Sequence, residues 1–166
     1  ITVSNDSRFS HFTDIRSAVR YAMMFKKMFP TFDATPSVLI KEGSYEVSKP
    51  IAITKDITIS GVGPATVISR ASSFRTLCQI STSESYIPNS YKSLFMIGMS
   101  DDLELGTYKT GDASQIKNGV TFKNFTYKTG GTVNGVGSVF SISHKEDDFE
   151  QFVFENISFL GPTNAK

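Results

Sequence analysis

Two stretches of this chain follow one pattern. Val120-Thr-Phe122-Lys-Asn124-Phe125-Thr-Tyr127 aligns with Phe152-Val-Phe154-Glu-Asn156-Ile157-Ser-Phe159 at an offset of 32 residues. Ile57-Thr-Ile59-Ser-Gly61-Val62 opens the same way, with glycine where the other two carry asparagine. A second pair joins Phe95-Met-Ile97-Gly-Met99 to Phe140-Ser-Ile142-Ser-His144. A unit of this size cannot bury its own apolar face, so its copies must stack and cover one another. Parallel strands stacked about 4.8 Å apart set equivalent side chains over each other. The repeat therefore predicts that Val120 and Phe152, Phe122 and Phe154, and Asn124 and Asn156 are neighbours on adjacent strands.

The stretch before the repeats has another period. Ile15, Ala18, Val19, Ala22, Phe25 and Phe29 recur in steps of three and four, the apolar stripe of a helix over 13–29. Thr13 is the expected N-cap, Asp14 suits the positive end of the dipole, and Lys26 and Lys27 suit the other. Pro30 ends the helix, and Met23, Met24 and Met28 are read as widening its apolar face. After Pro36 the period becomes two, through Val38-Leu39-Ile40, Tyr45 and Val47, Ile51 and Ile53, then Ile57 and Ile59. Gly61-Val62-Gly63-Pro64 turns the chain before Thr66-Val67-Ile68.

The expected architecture is mostly β: a parallel β-helix, or solenoid, with an N-terminal capping α-helix. It forms one domain over 1–166, with a lead-in segment over 1–12, the helix over 13–29 and coils over 38–160. Insertions near 69–93 and 104–118 are expected as loops on one flank. The helix covers the backbone groups that a stack of strands leaves unpaired at its end. Phe152 to Leu160 is still strand-like near the last residue, and Ile1 and Lys166 read as cut ends of a longer chain. Partners are then further coils of the same chain or other subunits, as in a homotrimer.

Composition agrees with strands and turns: 14 Phe, 6 Tyr, 12 Gly and no Trp. A length of 166 residues suits one domain with a real core. A net charge of +1 removes the electrostatic case for nucleic acid, since there is no basic excess to release counterions. No apolar run approaches the roughly 20 residues that a membrane span needs. The start reads as polar and no signal peptide is expected, and the single Cys78 can form no internal disulfide.

From Asp14 to Arg70 the chain resembles the opening of pectin-lyase-like right-handed parallel β-helix proteins. The likeness rests on the helix, on Ile40 to Val47 (IKEGSYEV) and on Ile57 to Ile68 (ITISGVGPATVI). The pectin methylesterase branch is the most similar in flavour, and Gly119 to Tyr127 (GVTFKNFTY) resembles its next coil. Phage tailspike and tail-fibre modules share such motifs, which specify turns and stacking rather than chemistry. The esterase residues do not carry over. The resemblance places a glutamine near Gly137 and an aspartate near Gly161-Pro162-Thr163, and neither residue type is there. A second aspartate and an arginine would fall past Lys166.

Chemistry is sought in the remaining polar groups. Asp101, Asp102 and Glu104 form one acidic cluster, and Glu146, Asp147, Asp148 and Glu150 another, each following one member of the Phe95/Phe140 pair. Stacking would bring Asp101 and Asp102 to the flank of Asp147 and Asp148. Mutual repulsion there could raise a carboxyl for general-acid work on a glycosidic bond, or Ca²⁺ could neutralise the group. The same residues also read as solvated turns beside Lys109 and Lys145. No other metal or cofactor is expected. His11 and His144 lack a nucleophile at recognisable spacing, and Cys78 reads as a small buried residue. Gly130 to Gly137 lacks the Lys-Ser/Thr of a phosphate loop. Sequons occur at Asn5, Asn124 and Asn156, the last two read as inward-bonding turn residues. Tyr86, Tyr91, Tyr108 and Tyr127 lie in or beside the insertions, where a sugar could stack on them.

Two functions from different classes fit these residues, and a purely structural spacer that binds no sugar is a third reading. One is a non-catalytic attachment or structural module of a virion or extracellular-surface protein, of tailspike or tail-fibre type, that contacts polysaccharide. The other is the N-terminal part of a polysaccharide-processing esterase or lyase whose active coils lie beyond Lys166.

Overall fold

A computed structural model describes residues 1–29, 31, 34–71, 79–80, 93–102, 107–110, 115–128, 139–142 and 152–161. Its helix α1 runs Ile15–Met28. The N-cap is Asp14 rather than the expected Thr13: its backbone is extended and its carboxylate accepts from the Ser17 N–H at 2.8 Å. A charged acceptor there answers both the open N–H groups and the helix dipole. Ile15, Ala18, Val19 and Ala22 of the expected stripe are buried, whereas Phe25 is half-buried and Phe29 is exposed. Met23 packs against the core, but Met24 and Met28 are exposed, so the methionines do not widen the apolar face as a group. The Phe29 N–H bonds Phe25 O, and Pro30, next in sequence, has no N–H to extend the ladder.

The strands are, in chain order, β1 (Thr2–Val3), β2 (Ser37–Ile40), β3 (Gly43–Val47), β4 (Ile51–Ile53), β5 (Lys55–Gly61), β6 (Thr66–Arg70) and β7 (Gln79–Ile80). There follow β8 (Phe95–Ile97), β9 (Met99–Asp102), β10 (Thr107–Thr110), β11 (Gln115–Lys128), β12 (Phe140–Ile142) and β13 (Phe152–Leu160). Most pair in parallel. One stack is β1-β2-β5-β11-β13; a second lays β3 on β6 and β6 on the C-terminal part of β11; a third is β4-β8-β12. Helix α1 packs on β1 to β4, over the first strand of each stack.

The register follows the repeat. Val120 pairs with Phe152 and Phe122 with Phe154, while Ile57 and Ile59 meet Val120 and Phe122 from the other side. Phe95 likewise pairs with Phe140. Columns of apolar side chains result: Val38, Ile59, Phe122 and Phe154 in one stack, Tyr45, Ile68, Tyr127 and Phe159 in another. The rings of Phe122 and Phe154 lie 5.7 Å apart and 6° from parallel, and those of Phe95 and Phe140 are 5.5 Å apart. Each such aromatic pair adds about 1 kcal/mol to its area burial.

Asn124 and Asn156 stand where the strand bends between stacks, with φ of 58° and 51°. Asparagine tolerates this left-handed region because its amide bonds locally. The Asn156 Nδ2 donates to Asn124 Oδ1 at 3.2 Å, as stacked turn asparagines should. These bends let β11 and β13 reach 14 and 9 residues, longer than the short strands the sequence pattern implies. The expected insertion over 104–118 is not all loop either. It contains β10, which pairs antiparallel with β9 and parallel with β7.

Burial of two phenols links this packing to pH. Burial raises Tyr127 above the ordinary 10.0, against a partial opposing pull from the Arg70 charge. Burial raises Tyr45 as well, against a backbone hydrogen bond at Asn5. Above the ordinary value the unfolded chain releases these protons while the folded chain keeps them. Stability is therefore complete below pH 10.0 and declines as pH rises through the raised folded values. Urea midpoints are expected to fall between about pH 9 and about pH 11, and Tyr127→Phe to flatten that fall.

Candidate functional site

Of the four tyrosines proposed to stack on sugar, Tyr127 is corrected by its position. It is 2% exposed in β11, column-mate of Ile68, with its ring 6.4 Å from that of Phe159. An aromatic at an inward strand position belongs to the core, and its place beside an insertion in sequence concealed that. Tyr108 lies on β10, where its Cα partner is Asp101; Thr107 is the partner of Asp102. The hairpin of β9 and β10 thus brings Asp101, Asp102 and Tyr108 into one short antiparallel ladder. Tyr86, Tyr91, Asp147 and Asp148 lie outside the described residues, as do Cys78, His144 and Gly130 to Gly137. Among the described residues no three His, Cys, Asp or Glu side chains come together as a metal-binding group.

His11 is a tie in the lead-in segment. Its Nδ1 lies 2.7 Å from Thr2 Oγ1 and accepts from the Thr2 N–H at 3.2 Å, which holds residues 2–3 beside β2.

The buried carboxylate of Asp56 is the first group to test for chemistry, and its partners explain it. Asp56 is 7% exposed; Oδ1 accepts from the N–H groups of Asn118 and Gly119 at 2.9 and 3.0 Å, and Oδ2 from Asn118 Nδ2 at 3.1 Å. These bonds join β5 to β11 where their register shifts between Gln115 and Val120. Bulged backbone leaves N–H groups that no ladder satisfies, and the carboxylate takes them up. Asp56 is a clamp between layers. The sequence carried a faint signal for it in Lys55-Asp56, a polar break inside an apolar alternation.

A surface groove of about 400 Å³ opens where the lead-in segment, the start of α1 and β3 meet. Asn5, Asp14, Arg16, Ser44, Glu46 and Lys49 line it. The Asn5 Nδ2 donates to Ser44 O at 3.3 Å, and Arg16 Nε donates to Pro50 O at 3.2 Å, which fixes its walls. Two cationic side chains, Arg16 and Lys49, and two anionic ones, Asp14 and Glu46, balance its charge. No motif announced this groove, because its residues come from three separated segments.

Neither a family model, a curated protein nor a solved structure matches this chain.

Proposed function

We propose that this chain is a right-handed parallel β-helix module with a structural and attachment role in a virion or extracellular-surface protein, of tailspike or tail-fibre type. The observation that carries the reading is the register: three parallel stacks share columns of equivalent side chains, and one helix packs over the first strand of each. Consecutive strands β2, β3 and β4 each belong to a different stack, and β5, β6 and β8 lie on them in the same order. A coil repeated in this way is the economy of a solenoid, in which each layer is stabilised by its neighbours. Resemblance of Asp14 to Arg70 to pectin-lyase-like proteins supports the same architecture. Tyr86, Tyr91 and Tyr108 remain the residues proposed to contact polysaccharide, with Tyr127 withdrawn.

The purified chain is expected to release neither methanol nor reducing ends from pectin-like polymers. It is expected to bind oligosaccharide, and a Tyr86→Ala, Tyr91→Ala, Tyr108→Ala triple variant to bind about tenfold more weakly. Release of product that is lost in Asp102→Ala or Asp147→Ala would replace this reading with the polysaccharide-processing one. Unchanged saccharide binding in the triple variant would remove the tyrosines from the contact.

A further inference from the structure

Among the described residues, β13 is the last strand of the first stack. β13 pairs with β11 along its length, and from Val153 to Phe159 its other edge meets no strand among the described residues. Two of its aromatic side chains stay exposed, Phe154 at 47% and Phe159 at 58%, although their column-mates Phe122 and Tyr127 are buried. An exposed strand edge with large apolar side chains is a template for another strand.

We propose that this face takes up one further polypeptide strand, parallel to β13 and of the β11 type: aromatic residues over Phe154 and Phe159, asparagine or glycine over Asn156, and a basic residue over Glu155. Three observations choose this occupant. The first is continuity with the interface already formed between β11 and β13. Phe154 stacks on Phe122, and the Asn156 amide donates to Asn124, so a strand that repeats the pattern extends both columns. The second is charge. Lys123 is the Cα partner of Glu155, and Glu155 is exposed, so a lysine on the added strand restores the same alternation. A second β13 laid in the same register would set glutamate over glutamate, and like charges directly opposite are destabilising. The third is the opposite end of the stacks. α1 covers β1 to β4 there with Ile15, Ala18, Val19 and Ala22, so a second copy has no open layer to offer head to tail. The inference stands on the β11–β13 register and the exposed column, and does not depend on the attachment reading above.

The probe is a capped peptide of residues 119–128 (GVTFKNFTYK), titrated into the full 166-residue chain and followed by amide chemical shifts. Saturable binding is expected below about 1 mM, with shifts concentrated at 152–160. A peptide carrying Lys123→Glu is expected to bind about fivefold more weakly, and a chain carrying Glu155→Lys to recover that peptide. Glu155→Lys also sets a lysine over Lys123 of β11, so circular dichroism of that variant, at an exposed position, is the check that it is folded. Phe154→Asp is expected to weaken binding by more than about tenfold, with Phe154→Leu as the folded control that retains most of it. No binding at about 1 mM, equal binding of a scrambled peptide, or a charge exchange without effect would each overturn the proposal. Concentration-dependent self-association that protects amides 152–160 without peptide would overturn it in favour of a second copy.

Discussion

Gly61→Ala is expected to lower the unfolding free energy by about 3 kcal/mol and the midpoint temperature by roughly 6–12 °C. A Cβ at Gly61 would stand 2.2 Å from the Asn124 carbonyl oxygen and 2.8 Å from Thr66 Cβ. The nearer atom is backbone, held in place because Asn124 O also accepts from the Gly63 N–H at 3.0 Å. Thr66 has little room to give: it is fully buried, accepts from the Val62 N–H and donates to Ile40 O and Lys41 O. The new methyl group must therefore push β5 away from β11 or break the turn over 61–66. Thermal unfolding followed by circular dichroism checks this, with Gly63→Ala as a comparison of another kind. At Gly63 a Cβ meets nothing within 4 Å, but φ is 139°, so only backbone strain is paid. A Gly61→Ala midpoint within about 1 °C of the parent would mean that the two layers are not in this close contact.

The second large effect is expected at Asp56. Asp56→Ala removes the acceptor for two backbone N–H groups and one amide, and Gly119 is buried, so its N–H has little recourse to water. A loss of about 2–4 kcal/mol follows from the stranded donors. Asp56→Asn keeps one acceptor oxygen and is expected to restore roughly half of it. Denaturant midpoints measure the loss, and hydrogen exchange locates it: the Asn118 and Gly119 amides are expected to lose protection before those of 57–60. Uniform loss across β5 and β11 would instead show that the clamp and the ladder open together.

The two residues show how differently one letter can be justified. Alignment of the repeats sets Gly61 in the place of Asn124 and Asn156, as if all three served one turn. Their backbones differ: the asparagines are left-handed, whereas Gly61 is needed for space beside Asn124. Pattern matching finds the position, but the reason for the residue lies in the layer next to it.

Stacking order and register were legible in the chain because both depend on spacing. An offset of 32 between two copies of an apolar-polar pattern leaves one register that stacks the apolar side chains of one copy on those of the other, and Val120/Phe152 and Phe122/Phe154 obey it. The helix was legible for the same reason, since a 3.6-residue stripe can bury only one face. What depends on contacts between distant segments was decided in three dimensions. The antiparallel β9–β10 hairpin arises inside a stretch without strong alternation, Tyr127 is turned inward by the Asn124 bend, and Asp56 reaches a bulge 62 residues away. The groove at Asn5, Arg16 and Lys49 and the exposed column of Phe154 and Phe159 belong to the same class. Periodicity is a property of neighbours along the chain and survives in one dimension; burial, donor satisfaction and an open strand edge are set by neighbours across it, which only the folded packing supplies.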